Sequence, residues 1–567
     1  MAKGGEFLLP NNALPDIFTV NQFTDEQKMI RETIREVVAK TIITDDAIRA
    51  IESKDWAFSR GLLKNLAELG VLGMEVPEEY GGTNLDKICS SIVAEEIGKQ
   101  GSFACTLLAH TGIGTLPIRF FGTEEQKVKY LPKLISGEWI AAYSLTEAGA
   151  GSDANGVKTT AVQDGDFYIL TGEKIFVTNG GFADLFIIFA KIDGEDLSAF
   201  IIEKDSPGLQ VGKEEHKMGI QGSSTAPVSL NGVRVPVGNI LGERGKGFKI
   251  AVNILNLGRF KLAAASLGGA RQAFRQSLDY SKERKQFGQP ISSFGAIRYK
   301  LAMMAAKIYA MQSVVYRTAG HLEDSIGGVD QNDSRAILKA IEEFAPECSI
   351  VKVFCSEALG YVVDENVQIH GGVGFCEGHP EREYRDSRIN RIFEGTNEIN
   401  RMLAFGMILK RAMAGGLSLM AVGERLPEEV MGAMTPEPED GPERLKHYLD
   451  NSKKAVVLAS GAAWKKFGTK LPDHQMVIMA LADCMINIYV MESALAALTK
   501  NRNEHDENLV RLIFDEKVFE TENLVRRLVA MCSEGDTQRT INSMMKRLLK
   551  FTPVNTEELI EKIVTNL

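Results

Sequence analysis

Residues Phe167–Gly181 read FYILTGEKIFVTNGG, and this stretch interrupts a chain that is otherwise patterned for helix. β-Branched and aromatic residues crowd together, and Asn-Gly closes the run, which is strand and hairpin chemistry. The same texture continues in DLFIIFAKI (184–192), LSAFIIEK (197–204) and APVSLNGVRVP (226–236). From Trp139 to about Asn239 the period is therefore that of a sheet. Upstream, DEQKMIRETIREVVAK (25–40) spaces apolar residues three and four apart, with GVLGMEVPEEYGG (70–82) as a break. Downstream, the long run from Phe248 to Gly288 and the segments up to about Lys410 return to that spacing. A sheet enclosed by two helical regions follows, the first of them read as a helical bundle.

With 567 residues the chain exceeds what one hydrophobic core serves. The expected division is a helical domain over 1–138, a β domain over 139–242 and helices over 243–412. A linker over 413–442 and a further helical unit over 443–567 complete it. The linker rests on TPEPEDGP (435–442), where proline, acid and glycine combine. A hydrophobic content of 44% and charged content of 25% suit a globular protein, and no run reads as a membrane span. A net charge of -10 argues against a chain built to bind nucleic acid. The opening MAKGGEFLLPNN has the features of neither a secretory signal nor a presequence, so the cytoplasm is the expected location. Seven scattered cysteines form no CxxC pair and no metal-ligand cluster, so they are expected to be reduced and no metal is expected.

Several stretches could carry chemistry. In RIFEGTNEINR (391–401), Glu394 lies between an apolar approach and a Gly-Thr break that opens a helix. A carboxylate kept dry there has a raised pKa and is a stronger base, suited to removing a proton from carbon. An ordinary acid favoured by a helix N-terminus reads the same way. YSLTEAGAGSD (143–153) offers hydroxyls at Thr146 and Ser152 among small residues that admit a ring or phosphate, as a plain surface turn also would. In KIFVTNGG (174–181), Phe176 and Thr178 fall on one face of a strand, with core packing of Phe176 as the alternative. ERKQFG (283–288) sets a cation, an amide and an aromatic at a helix end, suited to a pyrophosphate and a flat ring or to solvent. QIHGGVGF (368–375) has the look of a glycine nest for an anion, and His370, lacking a partner, reads as structural.

Taken in order, YSLTEAGAGSD, KIFVTNGG, NLGRF (256–260), ERKQFG, QIHGGVGF and RIFEGTNEINR resemble the acyl-CoA dehydrogenase family over about Phe23 to Lys410. AHTGIG (109–114), NILNLGRFKLAAA (253–265) and the long tail are most similar to its very-long-chain branch. The resemblance implies a mainly α fold with a central β-barrel-like domain, a C-terminal four-helix bundle and an additional C-terminal helical domain. It implies FAD as cofactor, with Tyr143, Thr146, Ser152, Phe176 and Thr178 along the flavin within one subunit. Arg284, Gln286, Phe287, Gln368, Gly371 and Gly372 would meet the cofactor of a neighbouring subunit, so a homodimer is implied. Thr396 and Glu398 would touch the adenosine side. Ser152, Asn256, Arg259 and Gly395 would hold the CoA thioester.

In that scheme Glu394 is the base that removes the α proton while the β hydride passes to flavin N5, giving a trans-2-enoyl-CoA. The implied acceptor is an electron-transferring flavoprotein. An acyl-CoA oxidase of the same fold and a noncatalytic role in respiratory-complex assembly are the rival readings. Ala148 and Phe176 stand where many relatives carry proline and tryptophan, and 327–346 reads as an insertion. In FACTLLAHTGIG (103–114), Cys105 and Ala109 share a helix face whose small side chains would leave depth for a long acyl chain, as would simple close packing. KKAVVLASGAAWKKFGTKL (453–471) and NSMMKRLLKF (542–551) mix bases with apolar faces, the pattern of an interfacial helix and hence of peripheral membrane contact, although such stripes more often face a core.

Overall fold

The computed structural model describes residues 2–432 and 436–567, so Thr435, the first residue of the linker motif, lies outside the described residues. The N-terminal region is helical as its spacing predicts, including α1 (Asp25–Thr41), α2 (Lys87–Ile97) and α3 (Gly101–Leu108). The Thr24 hydroxyl caps α1 by accepting from the Gln27 N–H at 3.1 Å, and Gln27 answers toward the Thr24 N–H. After α3 the chain widens into a π-helical turn over Ala109–Gly114, an irregularity frequent where helices serve a site.

Eight strands then make one sheet: β1 (Ala141–Ser144), β2 (Thr160–Asp164), β3 (Phe167–Thr178), β4 (Leu185–Ile192), β5 (Asp196–Glu203), β6 (Leu209–Val211), β7 (Thr225–Pro236) and β8 (Ile240–Leu241). The order is β6-β7-β3-β2-β4-β5-β8, with β1 running parallel to β4. β4 is apolar without a break from Leu185 to Ala190 because both its faces are covered there.

The helices that follow are α4 (Gly247–Glu283), α5 (Gly295–Gly327), α6 (Ser334–Glu343), α7 (Ala345–His370) and α8 (Asn397–Met413). α4 and α7 run parallel: Gly269 faces Leu359, the Ser277 hydroxyl meets Asn366 Oδ1 at 2.7 Å, and Tyr280 stacks on His370 at 4.2 Å. The insertion is α6 and its flanks, anchored in the core by Ile337, Leu338 and Ile341.

One boundary needs correction. The region 413–442 is not wholly a linker: α9 (Leu419–Met431) forms within it, with Leu426 and Val430 buried. The apolar faces of the basic-apolar stripes pack inward, as the core alternative has it. In α10 (Pro442–Phe467), Val456, Val457, Ala459 and Ala463 are core, while Lys453 ion-pairs with Glu492. In the last helices Met544, Met545 and Leu548 are likewise buried. The first stripe packs against α11 (Gln475–Lys500) and α12 (Glu504–Cys532), and the second against α9, α10 and α12, so both apolar faces are buried within the protein. By length and composition α4 and α11 could cross a bilayer, contrary to the sequence reading, but both are mostly buried within the protein.

The N-terminal segment ties these parts together. The N–H groups of Gly4 and Gly5 donate to Glu343 and Glu347, Lys453 donates to the Leu9 carbonyl, and Phe7 packs edge-on to Tyr489.

Candidate active site

Glu394 sits at the mouth of α8, where the backbone makes an unusual excursion. Its φ is 58° and that of Gly395 is 80°, both left-handed. The non-glycine case is strained and must be held by its surroundings. Thr396 then opens α8 as its N-cap, its hydroxyl accepting from the Ile399 N–H at 3.3 Å. The carbonyl of Glu394 accepts from Arg259 Nε at 3.1 Å and Asn400 Nδ2 at 3.3 Å. The carbonyl of Gly395 accepts from Asn400 Nδ2 at 2.7 Å and from Lys352 Nζ at 2.8 Å.

The side chain of Glu394 points into a cavity, and its Oε2 is buried with no hydrogen-bond partner. Burial pushes its pKa up to about 7, against the opposing pull of the Arg259 and Lys352 charges. Opposite it stands Gly258, where a Cβ would lie 2.6 Å from Oε2, so any larger residue would push the carboxylate from its place. The wall continues along α4 through Leu262, Ala265 and Gly269, about 16 Å at the helical rise. Cys105, Ala109, Leu359 and Val363 add to the apolar lining, with Glu383 and Asp386 as carboxylates on the same wall, so the Cys105/Ala109 face does border the cavity.

The end of the sheet supplies the polar rim. Thr178 lines the same cavity, and the buried Tyr143 hydroxyl is unpartnered. Burial, then the Glu394 charge, raise the Tyr143 pKa well above its ordinary value. A bulge in β3 between Lys174 and Val177 gives Phe176 a φ of 55° and leaves it 60% exposed, so core packing does not explain it. The turn carrying Thr146 and Ser152 is pinned by Glu147, which accepts from the N–H groups of Lys158 (2.6 Å) and Thr159 (3.0 Å), the Thr159 hydroxyl (2.6 Å) and Lys174 Nζ (2.6 Å). Ser152 is exposed, and a Cβ added at Gly149 or Gly151 would meet nothing within 4 Å.

Other expected site residues lie elsewhere or are otherwise engaged. Asn256 and Arg259 are buried and bonded to each other at 3.0 Å, and Arg259 grips the base turn, so their observed work is to hold Glu394 in place. Glu398 is exposed at the start of α8. Arg284, Gln286 and Phe287 project on a short hairpin, while Gln368 lies in the last turn of α7 and Gly371 and Gly372 follow its end. Because α4 and α7 are parallel, both groups emerge at one end of the bundle and are exposed. His370 is structural, its Nδ1 2.8 Å from the Asn366 carbonyl oxygen. Lys352 escaped the sequence reading, although a lysine inside SIVKVF (349–354) is the kind of charge in an apolar helix that signals a buried partner. All seven cysteines are unpaired, and among the described residues no cluster of metal-ligand type occurs.

Family models match most of the chain. The N-terminal, middle and C-terminal domains of acyl-CoA dehydrogenase cover 24–138, 142–233 and 245–408, and a further acyl-CoA dehydrogenase C-terminal domain covers 451–547. A Bacillus subtilis protein named "Probable acyl-CoA dehydrogenase" is 46% identical over 98% of this chain and 95% of its own. The human mitochondrial very long-chain specific acyl-CoA dehydrogenase is 36% identical over 81% of this chain and 72% of its own. Among solved structures, an acyl-CoA dehydrogenase complexed with FAD from Bacillus anthracis superposes with a TM-score of 0.96 at 44% identity, covering 100% of this chain and 98% of the other. Butyryl-CoA dehydrogenase from Megasphaera elsdenii covers 68% of this chain and 99% of its own, with a TM-score of 0.62 at 37% identity. On this evidence the chain belongs to the acyl-CoA dehydrogenase family.

Proposed function

We propose that this protein is an FAD-dependent enzyme that introduces a trans α,β double bond into long-chain acyl-CoA thioesters, with Glu394 as the base. The observation carrying this reading is the buried, unpartnered Oε2 of Glu394 at the head of a largely apolar cavity. The cofactor is FAD, and the residues present suit it. The orphaned Tyr143 hydroxyl, the cavity-lining Thr178 and the open space above Gly149 and Gly151 offer polar contacts and close approach for a flat ring and its phosphates. When bound, FAD supplies the two-electron acceptor for the β carbon.

The chain's own residues prepare the α proton for removal. Among the described residues the N–H of Glu394 donates to no group of the chain, so it is available to a thioester carbonyl and to the charge that develops there. Arg259, Asn400 and Lys352 fix the backbone that carries both this donor and the carboxylate. The apolar wall excludes water and so keeps Glu394 basic. The cavity along α4 supports a long acyl chain, as does similarity to the very long-chain enzymes.

A homodimer is part of the proposal. Phe287 is 92% exposed and Phe375 85%, with Val373 at 62%, all at the end of the bundle that carries the two motif groups. An electron-transferring flavoprotein is the proposed acceptor, and β-oxidation in the cytoplasm the proposed setting. Anaerobic titration of the yellow protein with saturated acyl-CoAs of graded length tests the reaction: the flavin is expected to bleach with long chains. No bleaching at any length would refute the reading, and stoichiometric peroxide in air would assign an oxidase instead.

A further inference from the structure

The additional C-terminal domain reaches the base turn through a continuous run of hydrogen bonds. The Gly395 carbonyl, next to Glu394, accepts from Lys352 Nζ at 2.8 Å, and the same ammonium donates to Asn397 Oδ1 at 2.8 Å. The Asn397 amide donates to Glu357 Oε1 at 2.9 Å. Arg401 holds Glu357 with both guanidinium arms, at 2.8 and 2.9 Å, and its Nε donates to Asp483 Oδ1 at 2.6 Å. Asp483 belongs to α11, in the additional domain.

This is more than a surface ion pair. Lys352 and Asn397 are buried, and each intermediate group is bonded on two sides, so its geometry is set from both. A forked guanidinium–carboxylate pair adds direction as well as strength. What the run supports is a turn in which two consecutive residues hold left-handed φ, a conformation that persists only under external constraint. Burial lowers the Lys352 pKa to about 7, with Glu394 the largest opposing influence, so the lysine stands in the field of the base itself.

We propose that Asp483 is a positioning residue for the base: through Arg401, Glu357, Asn397 and Lys352, the additional domain fixes the Glu394–Gly395 turn. The catalytic part of this statement rests on the function proposed above; the mechanical part does not.

The test uses full-length FAD-loaded protein carrying Asp483→Asn, which keeps shape and removes charge, with Asp483→Glu as the conservative rescue. Amide hydrogen exchange of the peptide spanning 393–398 is expected to speed up about tenfold in Asp483→Asn, with the rest of α7 and α8 unchanged. The limiting rate of anaerobic flavin bleaching by a long-chain acyl-CoA should fall about tenfold at unchanged half-saturation, the size of effect that small displacements of a reacting group produce. Asp483→Glu should restore both. Arg401→Lys, which loses the fork, should reproduce the local signature if Asp483→Asn does not fold. Exchange at 393–398 equal to wild type, a uniform rise across the bundle, faster local exchange with unchanged bleaching, or failure of Asp483→Glu to rescue would each overturn the proposal. Hydrogen exchange needs no substrate, so it reads the coupling even if wild-type protein were not bleached by acyl-CoA.

Discussion

Glu394 combines two properties that are costly apart and useful together: a strained backbone and an unpartnered carboxylate. Replacing it with glutamine keeps the volume and removes the basicity. Glu394→Gln is therefore expected to purify yellow, with FAD bound, while anaerobic bleaching slows by about 10²–10⁴-fold. Titration of the same group sets a pH profile. A pKa near 7 means that the base form accumulates as pH rises through that value, so kcat/KM should climb between pH 6 and 8 and level off above. The stability contribution has the opposite sign. With its folded pKa raised above 4.5, Glu394 favours the folded state most at low pH, and that contribution is lost as pH rises through about 7. Thermal melts of wild type and Glu394→Gln across this range should show wild type losing ground relative to the variant. Glu394 was a candidate in the sequence, set between Ile392, Phe393 and a Gly-Thr break, but the segment alone suited an ordinary helix-N-terminal acid as well, and only the ordered set of family motifs singled it out. The roles of Arg259 and Lys352 were not legible there, since their bonds to the turn cross some 135 and 43 residues of chain respectively.

At the scale of elements, α4 supplies its effect by what it lacks. Gly258→Ala would improve helix propensity by up to about 1 kcal/mol but place a methyl 2.6 Å from Glu394 Oε2. The carboxylate is the part free to move, so melting temperature should hold or rise while bleaching slows about tenfold or more. Stopped-flow and calorimetry on one preparation separate the two effects. The turn between β1 and β2 depends instead on a buried pair. Glu147 has its pKa lowered to about 2, because burial is outweighed by Lys174, Thr159 and Lys158, and Lys174 is itself wholly buried. Glu147→Gln would leave that ammonium uncompensated and cost about 3–5 kcal/mol, visible as a lower melting temperature and easier loss of FAD. The strands themselves were readable from alternation and Asn-Gly punctuation. The bulge that exposes Phe176 was not, because a one-residue shift leaves no mark in composition. The basic-apolar stripes of the C-terminal helices stayed ambiguous for a related reason: periodicity identifies a buried face without naming what buries it.

Across the whole molecule, the base and the motif residues expected to contact cofactor fall into two separated sets. Glu394 and Thr178 line one cavity, with the buried Tyr143 hydroxyl in the field of Glu394, whereas Arg284, Gln286, Gln368, Gly371 and Gly372 stand exposed at the common end of α4 and α7. In the proposed homodimer a second copy would bring this set to the cofactor of its neighbour. The exposed Phe287, Val373 and Phe375 give that end an apolar face of the kind that subunit contacts bury. Paired substitution Phe287→Asp with Phe375→Asp is expected to halve the mass seen by light scattering and to release FAD, while far-ultraviolet circular dichroism stays that of wild type. Because neither phenylalanine touches the Glu394 cavity, loss of FAD in a folded monomer would trace the cofactor's second set of contacts to the neighbouring subunit. A variant that kept both mass and FAD would move the interface elsewhere and leave the exposed motifs without the role argued for them.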